Sequence, residues 1–373
     1  MANARNSHEP WRVGVLFSRT GVTAVIEETQ LNGTMLAIEE INAAGGVNGR
    51  ELAPVAYDPA SDCAKFARLA DKLLTEDGVS TIFGCYTSSS RKAVLPIVER
   101  RNGLLWYPTL YEGFEYSPNI IYTGAAPNQN SVELLDFLLE SYGSRFYLIG
   151  SDYIYPRESN RIMRELLRQR RGEVVGEHYL DLGARPSEFR LLMRDVRNTR
   201  PDVIFSTVVG QATAYLYQAY NDAGFDPRVM PIASLTTSEA EIKLMGADVA
   251  LGHITAAPYF ESVQTADNAA FLDRYKKRFG SDEPTNLCVE AAYFQVHVFA
   301  KALSEVNSMD PDVMRPVVLG SEFDAPQGRV VIDSESNHTN LWTRLGRANE
   351  WGQFDIIRES MQSVKPDPYL VTH

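Results

Sequence analysis

The period of the hydrophobic pattern switches repeatedly along the chain, from two to about 3.6 and back. A short apolar strand is predicted over Arg12–Phe17. A helix over Thr29–Ala44 follows, with Leu31, Met35, Ile38 and Ile41 on one face until Gly45 and Gly46 stop it. Next come strand Glu51–Tyr57, helix Asp62–Glu76, strand Val79–Gly84, helix Ser89–Arg101 and strand Leu104–Tyr107. The rhythm resumes with helix Asn128–Tyr142, strand Arg145–Gly150, helix Pro156–Arg171 and strand Glu173–Tyr179. Helix Pro186–Asn198, strand Asp202–Thr207, helix Gln211–Ala223 and strand Val229–Ser234 extend it. Beyond His253–Ala257 lie helices Ala266–Phe279 and Thr285–Ser304, then strands that include Arg329–Ile332 and Leu341–Leu345.

Such alternation predicts an α/β chain of parallel sheets with helices on both faces. Two runs in tandem predict two doubly wound lobes facing each other across a cleft. The crossings are expected near Gly124–Asn128, near Ala256–Glu261 and within 326–337. The first lobe would then hold residues 11–124 and about 258–330, and the second 125–257 and about 331–373.

The predicted carboxyl strand ends gather polar aromatics and hydroxyls. They are Tyr86-Thr87-Ser88, Tyr107-Pro108-Thr109-Leu110-Tyr111-Glu112-Gly113, Ser151-Asp152-Tyr153-Ile154-Tyr155-Pro156-Arg157-Glu158, Thr207-Val208-Val209-Gly210 and Leu235-Thr236-Thr237-Ser238. One such turn alone would be an ordinary helix cap. All of them at strand ends of two facing sheets mark the place where open α/β folds bind small molecules. Tyrosines outnumber charged groups there, which suits a small, neutral, hydrogen-bonding solute better than an ion.

Composition narrows the function classes. With 44% hydrophobic and 23% charged residues the chain reads as a folded globular protein. A net charge of -12 and a pI near 5.1 exclude a basic nucleic-acid surface. The one basic run, Arg168, Arg170 and Arg171, closes a predicted helix and complements its dipole. No stretch approaches the eighteen or so apolar residues of a membrane helix. The stretch Met1–Pro10 is polar, without the apolar run of a signal peptide. Cys63, Cys85 and Cys288 are too few and too odd a set for a disulfide framework. These features predict a cytoplasmic protein, the alternative being an extracytoplasmic receptor separated from its signal.

Catalysis finds little support. Ser89-Ser90-Arg91-Lys92 fits Ser-x-x-Lys, but neither Ser-Asp-Asn nor Lys-Thr-Gly follows it. Cys85 continues an apolar strand and reads as a small buried residue. The histidines (His8, His178, His253, His297, His338, His373) lie far apart, and no phosphate-binding glycine loop occurs, so neither metal nor cofactor is expected.

The run Ile41-Asn42-Ala43-Ala44-Gly45-Gly46-Val47-Asn48-Gly49-Arg50, followed by Tyr57-Asp58-Pro59, resembles the opening of branched-chain amino-acid and amide binding proteins of the type I periplasmic-binding fold. The strings GCYTSSSRKAVLP, YEGFEYSPNIIYTGAAPNQNS, GSDYIYPRESN, FSTVVG, IASLTTSEAE, DAPQG and KPDPYLV are similar to the amide-sensing negative regulators of aliphatic amidase operons. Urea and short-amide binding subunits of ABC transporters are next in likeness. The resemblance implies a two-lobed receptor that closes on an acetamide-like or urea-like molecule. It implies Ser88 and Thr109 as the hydrogen-bonding pair, walled by Tyr86, Tyr107 and Tyr153, with Tyr155, Val208 and Thr236 added from the second lobe. It further implies self-association as a homodimer and an RNA-binding antiterminator as partner, held until the amide arrives. Leu110 stands where the regulators carry proline, so the pocket should differ there. The secreted amino-acid binding relatives form a disulfide between positions that align roughly with Ser61 and Thr87, and both cysteines are missing here.

Overall fold

The computed structural model describes residues 9–371, so the polar start up to His8, and Thr372 and His373 at the other end, lie outside it. In the first lobe β1 (Trp11–Leu16), β2 (Leu52–Tyr57), β3 (Thr81–Gly84), β4 (Leu104–Tyr107) and β5 (Ile120–Tyr122) form a parallel sheet in the order β2-β1-β3-β4-β5. Helices α1 (Ala24–Ala43), α2 (Cys63–Thr75) and α3 (Ser88–Arg101) connect the first four strands. β3 and β4 are buried from end to end, which suits their continuous apolar sequence between helix layers. Strand alternation still sorts their sides. Leu104 and Trp106 face a cluster with Phe83 and Phe299, whereas Leu105 and Tyr107 face Phe66, Leu73 and Val94.

The second lobe contains α4 (Ser131–Ser141), β6 (Arg145–Ser151), α5 (Ile154–Gln169), β7 (Glu173–Leu180), α6 (Pro186–Thr199) and β8 (Val203–Thr207). It continues with α7 (Gln211–Asp222), β9 (Ile232–Ser234), α8 (Glu239–Met245), α9 (Ala247–Ala250) and β10 (Ile254–Ala257). The chain then returns to the first lobe with α10 (Ala266–Phe279), α11 (Leu287–Val306) and α12 (Pro311–Val318). There α11 lies along α1. A Cβ at Gly33 would stand 2.4 Å from the Val289 carbonyl oxygen, so the absence of a side chain permits this helix approach.

Strands β11 (Glu322–Ala325), β12 (Gly328–Ile332) and β13 (Thr339–Asn340) form a small antiparallel sheet. Its last strand begins beside β5, through the Tyr122–His338 bridge and the Thr339 Oγ1 bond to the Tyr122 carbonyl at 2.9 Å. The chain re-enters the second lobe only at β14 (Arg344–Ala348), which pairs with β10 and with β15 (Phe354–Glu359). The third crossing thus falls between Asn340 and Arg344, later than the sequence pattern suggests. Leu341 pairs with Val364, and the Thr343 hydroxyl donates to the Gln129 carbonyl at 2.8 Å, so residues counted toward a strand are crossing residues. The second sheet runs β15-β14-β10-β9-β8-β6-β7, parallel except at its β14 and β15 edge. Residues 364–370 do not stay with that lobe. They return to the first crossing and to the loop after β4, where the Phe114 N–H bonds the Pro368 carbonyl at 2.9 Å.

Candidate functional site

β3 ends at Gly84, and Cys85 turns the chain with a φ of 69°, a left-handed conformation costly for a residue with a Cβ. Thr87 then caps α3, its Oγ1 accepting from the Ser90 N–H at 3.1 Å. This places Tyr86 and Ser88 at the strand's carboxyl end, beside the first-turn N–H groups that no helical carbonyl reaches. The loop after β4 brings Thr109 and Leu110 alongside. Its close approach to the first crossing requires glycine at 124, where a Cβ would lie 2.0 Å from the Thr109 carbonyl carbon.

Tyr86, Ser88, Thr109 and Leu110 meet Tyr153, Tyr155, Val209 and Thr236 of the second lobe around a cavity of about 10 Å³. No charged side chain lines it. Burial pushes the phenols of Tyr86, Tyr153 and Tyr155 upward, so they face the cavity as neutral hydroxyls. Tyr155 Oη is buried without a hydrogen-bond partner; Ser159 lies close enough to bias its titration but not in bonding geometry. A buried phenol left unpaired costs about 1–3 kcal/mol. A wider groove of about 570 Å³ runs between α1 and α8, past Val25, Asn32 and Lys243. It is open to solvent and lies away from the strand ends that gather the hydroxyls, so the small cavity is the candidate site.

Two expected lining residues stand elsewhere. Tyr107 belongs to the face of β4 that packs toward α2 and α3, and its hydroxyl donates to the Tyr86 carbonyl at 2.7 Å. It therefore supports the turn from behind. Val208 packs into the second lobe's core, while its carbonyl accepts from Thr236 Oγ1 at 2.7 Å and Thr213 Oγ1 at 3.1 Å. Val209, its neighbour, faces the cavity instead.

Behind Ser88 lies a buried charge network that the sequence does not announce. The Arg91 side chain is fully buried. It bonds Glu115 Oε1 at 2.7 Å, Glu112 Oε1 at 3.0 Å and Ser88 Oγ at 3.0 Å. Its guanidinium lies 4.8 Å from the ring centres of both Tyr107 and Tyr111. Lys92 Nζ is 2.7 Å from Glu115 Oε2, which commits the lysine of Ser-x-x-Lys to an ion pair. The network ends at His338, just before the third crossing. Burial lowers the His338 imidazole to about 4, so it is neutral at pH 7. Its Nδ1 faces the Ser336 carbonyl, which can only accept, so Nε2 must accept from the Tyr111 hydroxyl.

On the other side of the cavity, α8 opens with Glu239 and Glu241, both buried. Burial raises Glu239 to about 8 against the hydrogen bond it accepts from the Glu261 N–H at 2.8 Å; its Oε2 has no partner. The charges of Glu261 and Glu241 push in the same direction as burial. An unfolded glutamate ionises near 4.3, so this raised group contributes stability below about pH 4 that is lost as pH rises through 8. Glu239→Gln stays neutral throughout. Relative to the parent protein it is expected to gain roughly 2–4 kcal/mol between pH 5 and pH 8, read from urea unfolding at both values. An equal difference at the two pH values would show that Glu239 is ionised in the fold.

Comparison with known proteins places this architecture. The profile described as "Periplasmic binding protein domain" matches residues 11–373. The chain belongs to the periplasmic binding protein family. It is similar to the leucine-, isoleucine-, valine-, threonine- and alanine-binding protein of Pseudomonas aeruginosa, with 26% identity over 86% of this chain and 85% of that one. Among solved structures it is similar to an ABC-transporter solute binding protein of Rhodopseudomonas palustris in complex with p-hydroxybenzoic acid. There the TM-score is 0.87, with 22% identity over 98% of this chain and 99% of the other. The substrate binding protein LivJ of Streptococcus pneumoniae, in complex with isoleucine, superposes with a TM-score of 0.82 at 20% identity, covering 96% of this chain and 100% of that one. At these identities the solved relatives establish the two-lobed type I fold, and the ligand of this family member must be argued from its own cavity.

Proposed function

We propose that this protein is a receptor for a small neutral amide or urea, acting as the solute-binding subunit of an ABC transporter. The observation that carries the reading is the lining of the cavity: tyrosines and hydroxyls from both lobes, with no charged side chain. Free α-amino acids bring two charges and benzoates one, each needing an opposite partner when desolvated. At about 10 Å³ the space is near what one water needs, so the lobes must part for even acetamide to enter, and the lining rather than the size selects the occupant. At about -1.5 kcal/mol per heavy atom as a ceiling, acetamide could reach roughly -6 kcal/mol, a Kd of tens of micromolar. Transport is favoured because the similar solved proteins named above are transporter solute-binding subunits.

A thermal-shift screen of acetamide, urea, leucine and p-hydroxybenzoate tests the reading, since a ligand that binds only the folded state raises Tm. Stabilisation by leucine or benzoate but not by amides would overturn it. In calorimetry Thr109→Val is expected to weaken acetamide by about 1–3 kcal/mol through a lost hydrogen bond inside a closed cavity. Unchanged affinity would remove that loop from the site.

A second reading is a cytoplasmic amide sensor that holds an RNA-binding antiterminator and releases it when amide binds. It is favoured by the strings GSDYIYPRESN and FSTVVG and by cysteines that are all free. Acetamide-sensitive co-purification with an antiterminator, together with recovery from the cytoplasmic fraction, would favour regulation over transport.

A further inference from the structure

The two hydroxyls that face each other across the first-lobe side of the cavity are held in opposite senses. Ser88 Oγ contacts a Glu112 carboxylate oxygen, which can only accept, so the serine hydrogen points away from the cavity. The same oxygen accepts from Arg91 Nη1 at 3.0 Å, and arginine can only donate. One lone pair is left for an occupant. Thr109 is arranged the other way. Its Oγ1 accepts from Gln30 Nε2 at 2.9 Å, and the Gln30 amide is oriented by its second N–H, which donates to the Pro108 carbonyl at 3.2 Å. The threonine hydrogen has no acceptor in the protein's own bonding pattern. These polarities follow from which groups can donate at all, so they do not depend on where hydrogens are drawn.

We propose that Glu112 is a positioning residue that fixes Ser88 as a hydrogen-bond acceptor, restricting the occupant to molecules with an N–H beside a carbonyl. The proposal rests on reading the cavity as an amide site and adds how that site excludes look-alikes. Acetamide and urea offer an N–H to Ser88 and an oxygen to Thr109. Acetone has the same shape as acetamide but places a methyl group against the serine lone pair. Acetate places a second oxygen there, with the Glu112 carboxylate behind it. Glu112 and Arg91 are both buried, so neither the serine rotamer nor its proton can be rearranged by solvent.

The test is the acetamide-to-acetone affinity ratio, measured by calorimetry in the parent protein and in Glu112→Gln. In the variant the side-chain carbonyl stays with Arg91, and its NH₂ turns to Ser88. The serine must then accept from the protein and turn its own hydrogen into the cavity. The parent is expected to prefer acetamide by about 100-fold or more, and Glu112→Gln to reduce that ratio by at least about tenfold. Glu115→Gln perturbs the same arginine without touching Ser88 and should leave the ratio unchanged. An unchanged ratio in Glu112→Gln, or an equal change in Glu115→Gln, overturns the positioning role. If Glu112→Gln shows no cooperative melt, Ser88→Ala asks the same question with the Glu112–Arg91 pair intact, and a preserved ratio again overturns it. A parent protein that binds neither acetamide nor urea would instead defeat the amide reading itself.

Discussion

Arg91→Met is expected to lower folding stability by about 3–5 kcal/mol at pH 7, because it leaves buried carboxylates without their cation. Glu112 and Glu115 are both buried, and Lys92, on the rim, would be left as their remaining cation beside the Ser88 and Tyr122 hydroxyls. Packing alone would not predict such a loss, since methionine fills much of the same space between the Tyr107 and Tyr111 rings. The pH dependence separates the two causes. Burial alone would raise the Glu115 carboxyl, but the charges and hydrogen bonds of Arg91 and Lys92 bring it down to about 2. A depressed carboxylate contributes stability above its unfolded value near 4.3 and loses it as pH falls toward 2. The parent therefore loses this contribution in acid, while the variant has only the smaller share supplied by Lys92 to lose. The deficit measured by urea unfolding should be largest near pH 7 and should shrink below pH 4. A deficit of the same size at both values would assign it to packing.

Gly124→Ala is expected to weaken binding of the proposed amide by more than about tenfold and to cost roughly 1–3 kcal/mol of stability by overpacking. The new methyl would stand 2.0 Å from the Thr109 carbonyl carbon, 2.1 Å from its oxygen and 2.4 Å from the Leu110 nitrogen. These are backbone atoms, so no rotamer change relieves the clash, and the segment carrying Thr109 and Leu110 must shift. The cavity is small enough that a displacement of a few tenths of an ångström matters. Gly183→Ala is the control, since nothing lies within 4 Å of the position its methyl would take. Full affinity in Gly124→Ala would show that binding tolerates movement of the loop after β4.

Where the chain's pattern is local, it locates the turns well. The apolar run into Gly84 and the Thr87 cap fix the turn within a residue or two, and Tyr86 and Ser88 cannot then be far from the strand end. The same reasoning misplaces Tyr107, although the signal is present. Strand alternation puts Leu105 and Tyr107 on one face and Leu104 and Trp106 on the other, so a tyrosine still inside β4 reaches only the back of the turn. Val208 and Val209 cannot be told apart, because period-two reasoning stops where β8 stops. Gln30 and Glu112 give no local sign of a role. One is a polar residue within α1 and the other a loop acid, and each matters through a partner distant in sequence or fold. Strands as short as Ile120–Tyr122 escape a pattern search for the same reason.

The late third crossing bears on how the chain is made. Neither lobe is a continuous stretch, and each is completed by a segment from the last third of the sequence: α11 against α1 in the first lobe, β14 against β10 in the second. A chain emerging from the ribosome amino end first therefore carries an uncovered α1 face and an unpaired β10 edge until synthesis is nearly finished. Unpaired edges and bare apolar faces are the surfaces through which nascent chains associate wrongly. Synthesis of this protein thus has a long vulnerable interval, closed only when the last strands dock.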